Sequence, residues 1–334
     1  MVDSSLRGLL VVANGTPETL DDVRPYLTLI RHGDEPSDEV VEEVSDRYRM
    51  VGGPSALYQA TVDQMKALVS RLNWSNGGYR GYLAIKHWHP YIPEAVEQMA
   101  EDGIEQAVAI ALAPHYSTMT VSQYVDYVRE GLQRLERPID VVCVRSYHDE
   151  PLYIDAVEER LREAVEAVPA EHRADLPVIF TARSLPETVL REGDPYHEQL
   201  LETGRLVAER FEDLNWRFAF TSQGETNDGW LGPTLGESLD ELASEGHDAV
   251  AVCTVGFVSE HLETLYDIDI EGRKDAEARG LAFYRAATLG TSERYIAALA
   301  EVVRQAEAGT YANAVRLPDG ELEAPGHPTG FTRR

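Results

Sequence analysis

The sequence predicts an α/β fold of two doubly wound parallel sheets facing each other across a cleft. Three observations carry that expectation. Short apolar runs alternate with helix-period segments along the whole chain. Most runs are continuous and β-branched, which is the pattern of parallel strands buried on both faces. A polar stretch, VPAEHRADL at 168–176, joins two similar halves. Such strands and helices could also close into a barrel or form one large open sheet, but the joint favours two four-stranded parallel sheets.

In chain order the expected strands are GLLVVA at 8–13, YRGYLAI at 79–85, QAVAIALA at 106–113 and DVVCVR at 140–145. The second half supplies PVIFTA at 177–182, RFAFT at 217–221, DAVAVCTV at 248–255 and LAFYRAA at 281–287. Between them, apolar residues recur at helical spacing over 55–72, 92–101, 121–135 and 153–168. The same spacing recurs over 196–211, 234–244, 259–278 and 292–308. The expected domains are 1–168 and 169–308, with the last helix free to pack back on the first domain. Residues 309–334 contain Gly and Pro without apolar periodicity and read as a flexible tail.

Composition limits the function. With 334 residues, core material suffices for folding without disulfides or a structural metal. The formal net charge of −28 sets up a field that repels duplex nucleic acid and anionic membranes, so neither is an expected partner. The basic residues are Arg apart from Lys66, Lys86 and Lys274. Cys143 and Cys253 lie inside apolar strand runs and read as small buried hydrophobes, too few for a cluster ligated by one chain. Neither a signal-peptide pattern nor a membrane-length apolar run is present, so a cytoplasmic, soluble monomer is expected.

Ligands of doubly wound folds sit beyond the carboxyl ends of the strands. That rule selects 14–17, 86–90, 114–120, 183–187, 223–232 and 256–269. The segment VGFVSEHLETLYDIDIE at 255–271, which contains the last of these, is the most informative. It follows an apolar strand and opens a helix with Glu263, Asp267 and Glu271 spaced by four, near one face. Such a line is either a solvated acidic face or a track for a hard or borderline divalent cation. His261, two residues from Glu263, points elsewhere on a regular helix and reads as structural. His87 and His89 flank Trp88 and could share a face toward a metal, whereas His115 could bind ligand or cap a helix. The Gly-bearing turns NGTP at 14–17 and VGGPS at 51–55 offer backbone NH groups but match no nucleotide-binding fingerprint. Arg31 and Arg47, with Tyr48, could hold carboxylates of a ligand or pair with surface acids.

Taken together, IRHGDEP, DRYRMVGGPSAL, LAPHYST, FTARSLPE, GDPYHEQL, SQGETNDGWLGP and VGFVSEHLETLYDID resemble the ferrochelatase family, in particular its bacterial coproporphyrin branch. The resemblance runs from about Gly8 to Val303. It implies two Rossmann-like, chelatase-like domains and a porphyrin cleft. It also implies insertion of Fe(II), as substrate, into coproporphyrin III to give coproheme, with no tightly bound cofactor. It places Glu263 as the metal-side carboxylate and base, with Asp267 and Glu271 as a relay toward solvent. It sets Asn14, Arg31, Arg47, Tyr48, Ser55 and Tyr124 at porphyrin-contacting positions.

Two residues depart from the family pattern. Arg183 stands where the family usually has a His that ligates metal or accepts a proton, and Asn14 stands where related enzymes often have Tyr. A guanidinium has no acceptor lone pair, so it would repel Fe(II) or lock onto Glu263. For ferrochelatase activity Arg183 then has to swing aside, or a different His such as His87 has to substitute. Two alternatives therefore stand beside ferrochelatase activity. One is a divergent enzyme of the same scaffold acting on another macrocycle or metal-binding ligand. The other is a non-catalytic porphyrin- or haem-binding protein.

Overall fold

A computed structural model describes residues 6–54, 56–74, 78–224 and 229–317. In the first sheet, β1 (Arg7–Ala13) pairs in parallel with both β2 (Tyr79–Ile85) and β3 (Gln106–Ala111). β3 pairs in parallel with β4 (Asp140–Val144). The second sheet repeats this plan: β5 (Val178–Arg183) lies between β6 (Trp216–Thr221) and β7 (Ala249–Thr254), and β7 pairs with β8 (Ala282–Arg285). The orders are β2-β1-β3-β4 and β6-β5-β7-β8, all parallel. Each sheet therefore reverses its strand order between its first and third strands, the position where doubly wound folds open a ligand crevice.

The helices that cross over are α3 (Ala56–Asn73), α4 (Ile92–Glu101), α5 (Val121–Gln133) and α6 (Pro151–Ala167), preceded by α1 (Val23–Ile30) and α2 (Asp38–Met50). The second half adds the single turns α7 (Ala170–Arg173) and α8 (Thr188–Arg191), then α9 (Tyr196–Ala208) and α10 (Leu235–Ser244). A π-helix at Glu263–Gly272 runs directly into α11 (Arg273–Ala278), and α12 (Glu293–Glu307) follows. The expected strands and helices are all present within a few residues of their predicted limits. The α1–α2 pair was not expected. α2 nevertheless carries local signals: Ser37 caps the Val40 NH, Asp38 and Glu39 occupy the first turn, and Arg47 and Arg49 the last.

Residues 309–317 correct their part of the reading of 309–334 as a flexible tail, 318–334 lying outside the described residues, and they correct the reading of the first sheet as four-stranded. β9 (Ala314–Leu317) pairs antiparallel with β4 as a fifth strand, and Leu317 is fully buried. α12 leads the chain there by packing against α3, α6, β3 and β4. The last helix thus returns to the first sheet.

One apolar core runs through both halves, from Leu9 and Val11 to Phe180, Cys253 and Val303, across the joint at 168–176. Polar contacts add to the seam. Tyr153 donates to the Val255 carbonyl at 2.8 Å, and Gln64 receives the Ser259 hydroxyl at 2.9 Å while donating to the Gly290 carbonyl at 2.8 Å. The motifs LAPHYST and GDPYH meet at Asp194, which is 3% exposed. Its carboxylate accepts from the Ser117 hydroxyl at 2.9 Å, the Thr118 NH and hydroxyl at 2.6 Å, and the Tyr196 NH at 2.9 Å. This seam fixes the relative placement of the two crevices.

Candidate active site

The two reversal points bring Asn14, after β1, and Arg183, the last residue of β5, to corresponding places in the two halves. Beyond β7 the chain passes very close to β5: a Cβ on Gly256 would lie 2.4 Å from the Ala182 Cβ. Glycine is therefore what permits the approach that carries His261 and Glu263 toward Arg183. The Arg183 guanidinium donates through Nη1 to Glu263 Oε1, and the Arg183 carbonyl accepts from the Tyr196 hydroxyl at 3.1 Å. Burial pushes the Glu263 carboxyl up, but the Arg183 charge, helped by His261 and Ser222, brings it down to about 2. Glu263 is thus an anion throughout the neutral range.

Aromatic hydroxyls surround this pair. Tyr26, on α1, donates to the Gly15 carbonyl at 3.0 Å and has Trp88 edge-on at 6.4 Å between ring centroids. Burial holds its hydroxyl well above the ordinary phenol range. Tyr48, Glu263, Arg183 and Tyr124 lie near enough to act on it electrostatically. Tyr48 and Tyr124 are 6% and 5% exposed, and burial raises both hydroxyls. The Tyr48 hydroxyl meets Thr16 Oγ1 at 3.3 Å. Leu262, just before the π-helix, packs on the α1–α2 cluster of Val23, Leu27 and Tyr48, so these two helices wall the site.

The acidic line runs outward along the π-helix, a winding that recurs at functional sites. Glu263, with its side chain 22% exposed, and Asp267 are half-buried and Glu271 is exposed. Ser222, with φ of +56°, donates its hydroxyl to Asp267 Oδ2. That backbone conformation is uncommon for a non-glycine residue. Burial raises the Asp267 carboxyl to about 6 against the opposing Ser222 hydrogen bond, with the Glu263 charge adding to the rise. Arg47 lies over the Tyr266 ring at 5.1 Å and pairs with Glu43 at 2.7 Å, which sets a cation beside Asp267 and Glu271. The neighbouring acids are taken up elsewhere: Arg285 binds Asp269 at 2.6 Å and Glu260 at 3.1 Å. The line of three is therefore distinct from the general acidity around it.

The remaining sequence-predicted residues lie on the first-domain side. Asn14 is exposed, and its carbonyl accepts from the His87 NH at 3.0 Å. Burial, then Lys86 and His32, lowers the His87 imidazole to about 4. Arg31 closes α1 and is half-exposed. Ser55 lies outside the described residues. His115 is buried at 2% exposure, with Nε2 on Thr203 Oγ1 at 2.9 Å, and belongs to the seam. Sequence reasoning missed Tyr26 and Ser222, and it read His261 as structural. Only the α1 helical pattern and the strand-end position of Ser222 could have pointed to the first two.

The sequence model of the ferrochelatase family matches residues 6–307. The chain belongs to the ferrochelatase family. It is 40% identical over 299 residues to the coproporphyrin III ferrochelatase of Geobacillus sp. (strain WCH70), covering 89% of this chain and 96% of that protein. It is 38% identical over 300 residues to a ferrochelatase of Deinococcus radiodurans, covering 89% and 95%. Among solved structures, SirB from Bacillus subtilis with Fe3+ superposes with a TM-score of 0.60 at 11% identity, over 92% of this chain and 98% of that one. The Deinococcus radiodurans protein DR2241, described as structurally similar to chelatases, gives 0.53 at 13% identity, over 96% and 57%. These two likenesses bear out the chelatase-like α/β fold. In this ferrochelatase-family chain no helix is long and apolar enough to cross a membrane, among the described residues.

Proposed function

We propose that this chain inserts Fe(II) into coproporphyrin III to give coproheme. The observation that carries the reading is Glu263, a carboxylate held ionised within a wall of tyrosines and continued outward by Asp267 and Glu271. A cation entering along that line moves toward increasing burial while always facing an acidic oxygen. Glu263 lies near Tyr26, Tyr48 and Tyr124, aromatic side chains of the kind that would pack on a flat macrocycle. Insertion exchanges two pyrrole N–H protons for one Fe(II), so the charge of the ring complex is unchanged and two protons must leave. The acidic line gives them an exit, and Glu263 is the metal-side ligand. Asn14, Arg31, Arg47 and Tyr124 stand toward the macrocycle in this reading, Arg31 and Arg47 offsetting the negative field near its anionic edges.

A second reading is favoured by one observation, the ion pair that Arg183 makes with Glu263. If that pair does not open, the protein binds porphyrin or haem without metalating it. The test is an anaerobic absorbance time course of coproporphyrin III with Fe(II), using the unmodified protein, Arg183→His and no protein. Loss of the free-base spectrum well above the no-protein rate is the expected result. A bound free-base spectrum that only Arg183→His converts would support the binding protein instead.

A further inference from the structure

We propose that His261 Nε2 and Glu263 Oε2 form the divalent-cation site of this chain, on the carboxylate oxygen that Arg183 leaves free. The inference rests on the reading above that Glu263 takes the metal, and it names the second ligand. Arg183 engages Oε1, whereas Oε2 is buried and has no hydrogen-bond partner. An ionised oxygen in that state is costly unless something positive occupies its free side.

His261 faces it. The imidazole Nδ1 lies 3.0 Å from the Ser259 carbonyl, which can only accept, so Nδ1 carries the hydrogen and Nε2 of the neutral ring presents its lone pair. That arrangement is the usual one for a metal-ligating histidine oriented by a carbonyl. The Phe257 ring lies against the imidazole at 4.7 Å and fixes its plane. Nε2 and Oε2 are 3.9 Å apart, too long for a hydrogen bond between them. Two donors each about 2.1 Å from one metal lie roughly 3–3.5 Å apart, so a small closure admits a cation. One imidazole and one carboxylate suit Fe(II), Co(II) or Zn(II) better than Mg(II) or Ca(II).

Among the described residues no group of three His, Cys, Asp or Glu surrounds such a point. The remaining coordination positions are left to water or to incoming macrocycle nitrogens, as a site that passes its cation onward requires. Arg183 holds only Oε1 and takes no part in the cation site.

The test uses Co(II) as probe with the full chain and no porphyrin, read by calorimetry, by the Co(II) ligand-field band and by nitrogen coupling in pulsed EPR. The unmodified protein is expected to bind one Co(II) with an imidazole signature. His261→Asn keeps a donor to the Ser259 carbonyl but lacks Nε2, and should weaken binding at least about tenfold and erase that signature. His261→Gln gives an independent second measure should the Asn form fold poorly, and Arg183→Met should bind Co(II) as well as or better than the unmodified protein. Unchanged affinity in either folded His261 variant, or loss of binding in Arg183→Met, would overturn the inference. If His261→Asn also inserts Fe(II) at the unmodified rate, the site is wrong but the ferrochelatase reading stands. If the Co(II) site behaves as expected and the unmodified protein inserts no iron, that reading fails and the site stands.

Discussion

At the scale of single residues, buried histidines give the chain a pH dependence whose sign is fixed. Burial, then the neighbouring His148, holds the His115 imidazole well below 6.5 in the folded protein. As the pH falls below the unfolded value near 6.5, the unfolded chain takes up a proton that the folded chain refuses, so stability falls with pH. His115→Gln removes this contribution. Urea unfolding at pH 7, 6 and 5 should show a slope flatter than the unmodified protein's by up to about 1.4 kcal/mol per pH unit. Parallel slopes would show that His115 titrates normally. Legibility at this scale follows chain distance. Glu263, Asp267 and Glu271 could be read because one helix spaces them. The roles of Tyr26, Ser222 and His261 depend on contacts between distant segments, which no local pattern encodes.

Secondary-structure elements were legible where their residues are buried on both faces. β7 is buried at all six positions, and its run AVAVCT stands out in the sequence for that reason. β9 escaped because its four residues present no periodicity and follow a Gly-containing turn. Its place in the sheet gives a prediction. A chain ended after Ala308 loses the buried Leu317 and the β4 pairing, and should be less stable by about 2 kcal/mol or more. An unchanged urea midpoint would mean that β9 contributes no stability. The loop after β7 gives another. Gly256→Ala forces a methyl onto Ala182 and should cost about 1–3 kcal/mol while moving Glu263 away from Arg183. Unaltered stability and unaltered Co(II) binding would contradict the packing described here.

For the whole molecule, the alternation of strands and helices left a barrel or one open sheet possible, and the polar joint at 168–176 pointed to the two doubly wound sheets. The continuous core and the Asp194 junction were not legible, since they arise only when the halves meet. Net charge acts at this scale too. With 58 acidic against 30 basic side chains, like-charge repulsion opposes the compact state. The screening length shrinks from about 10 Å at 0.1 M salt to about 3 Å at 1 M. The urea midpoint should therefore rise over that range of KCl, and a falling midpoint would show that attractive ion pairs dominate instead.

The central claim is that Glu263 receives the metal. The most direct test compares the unmodified protein with Glu263→Gln in the anaerobic coproporphyrin III and Fe(II) time course, with thermal unfolding of both as the folding control. The account predicts metalation by the unmodified protein and a fall of at least about a hundredfold in Glu263→Gln, with folding retained. Metalation at equal rates by the two proteins would contradict it.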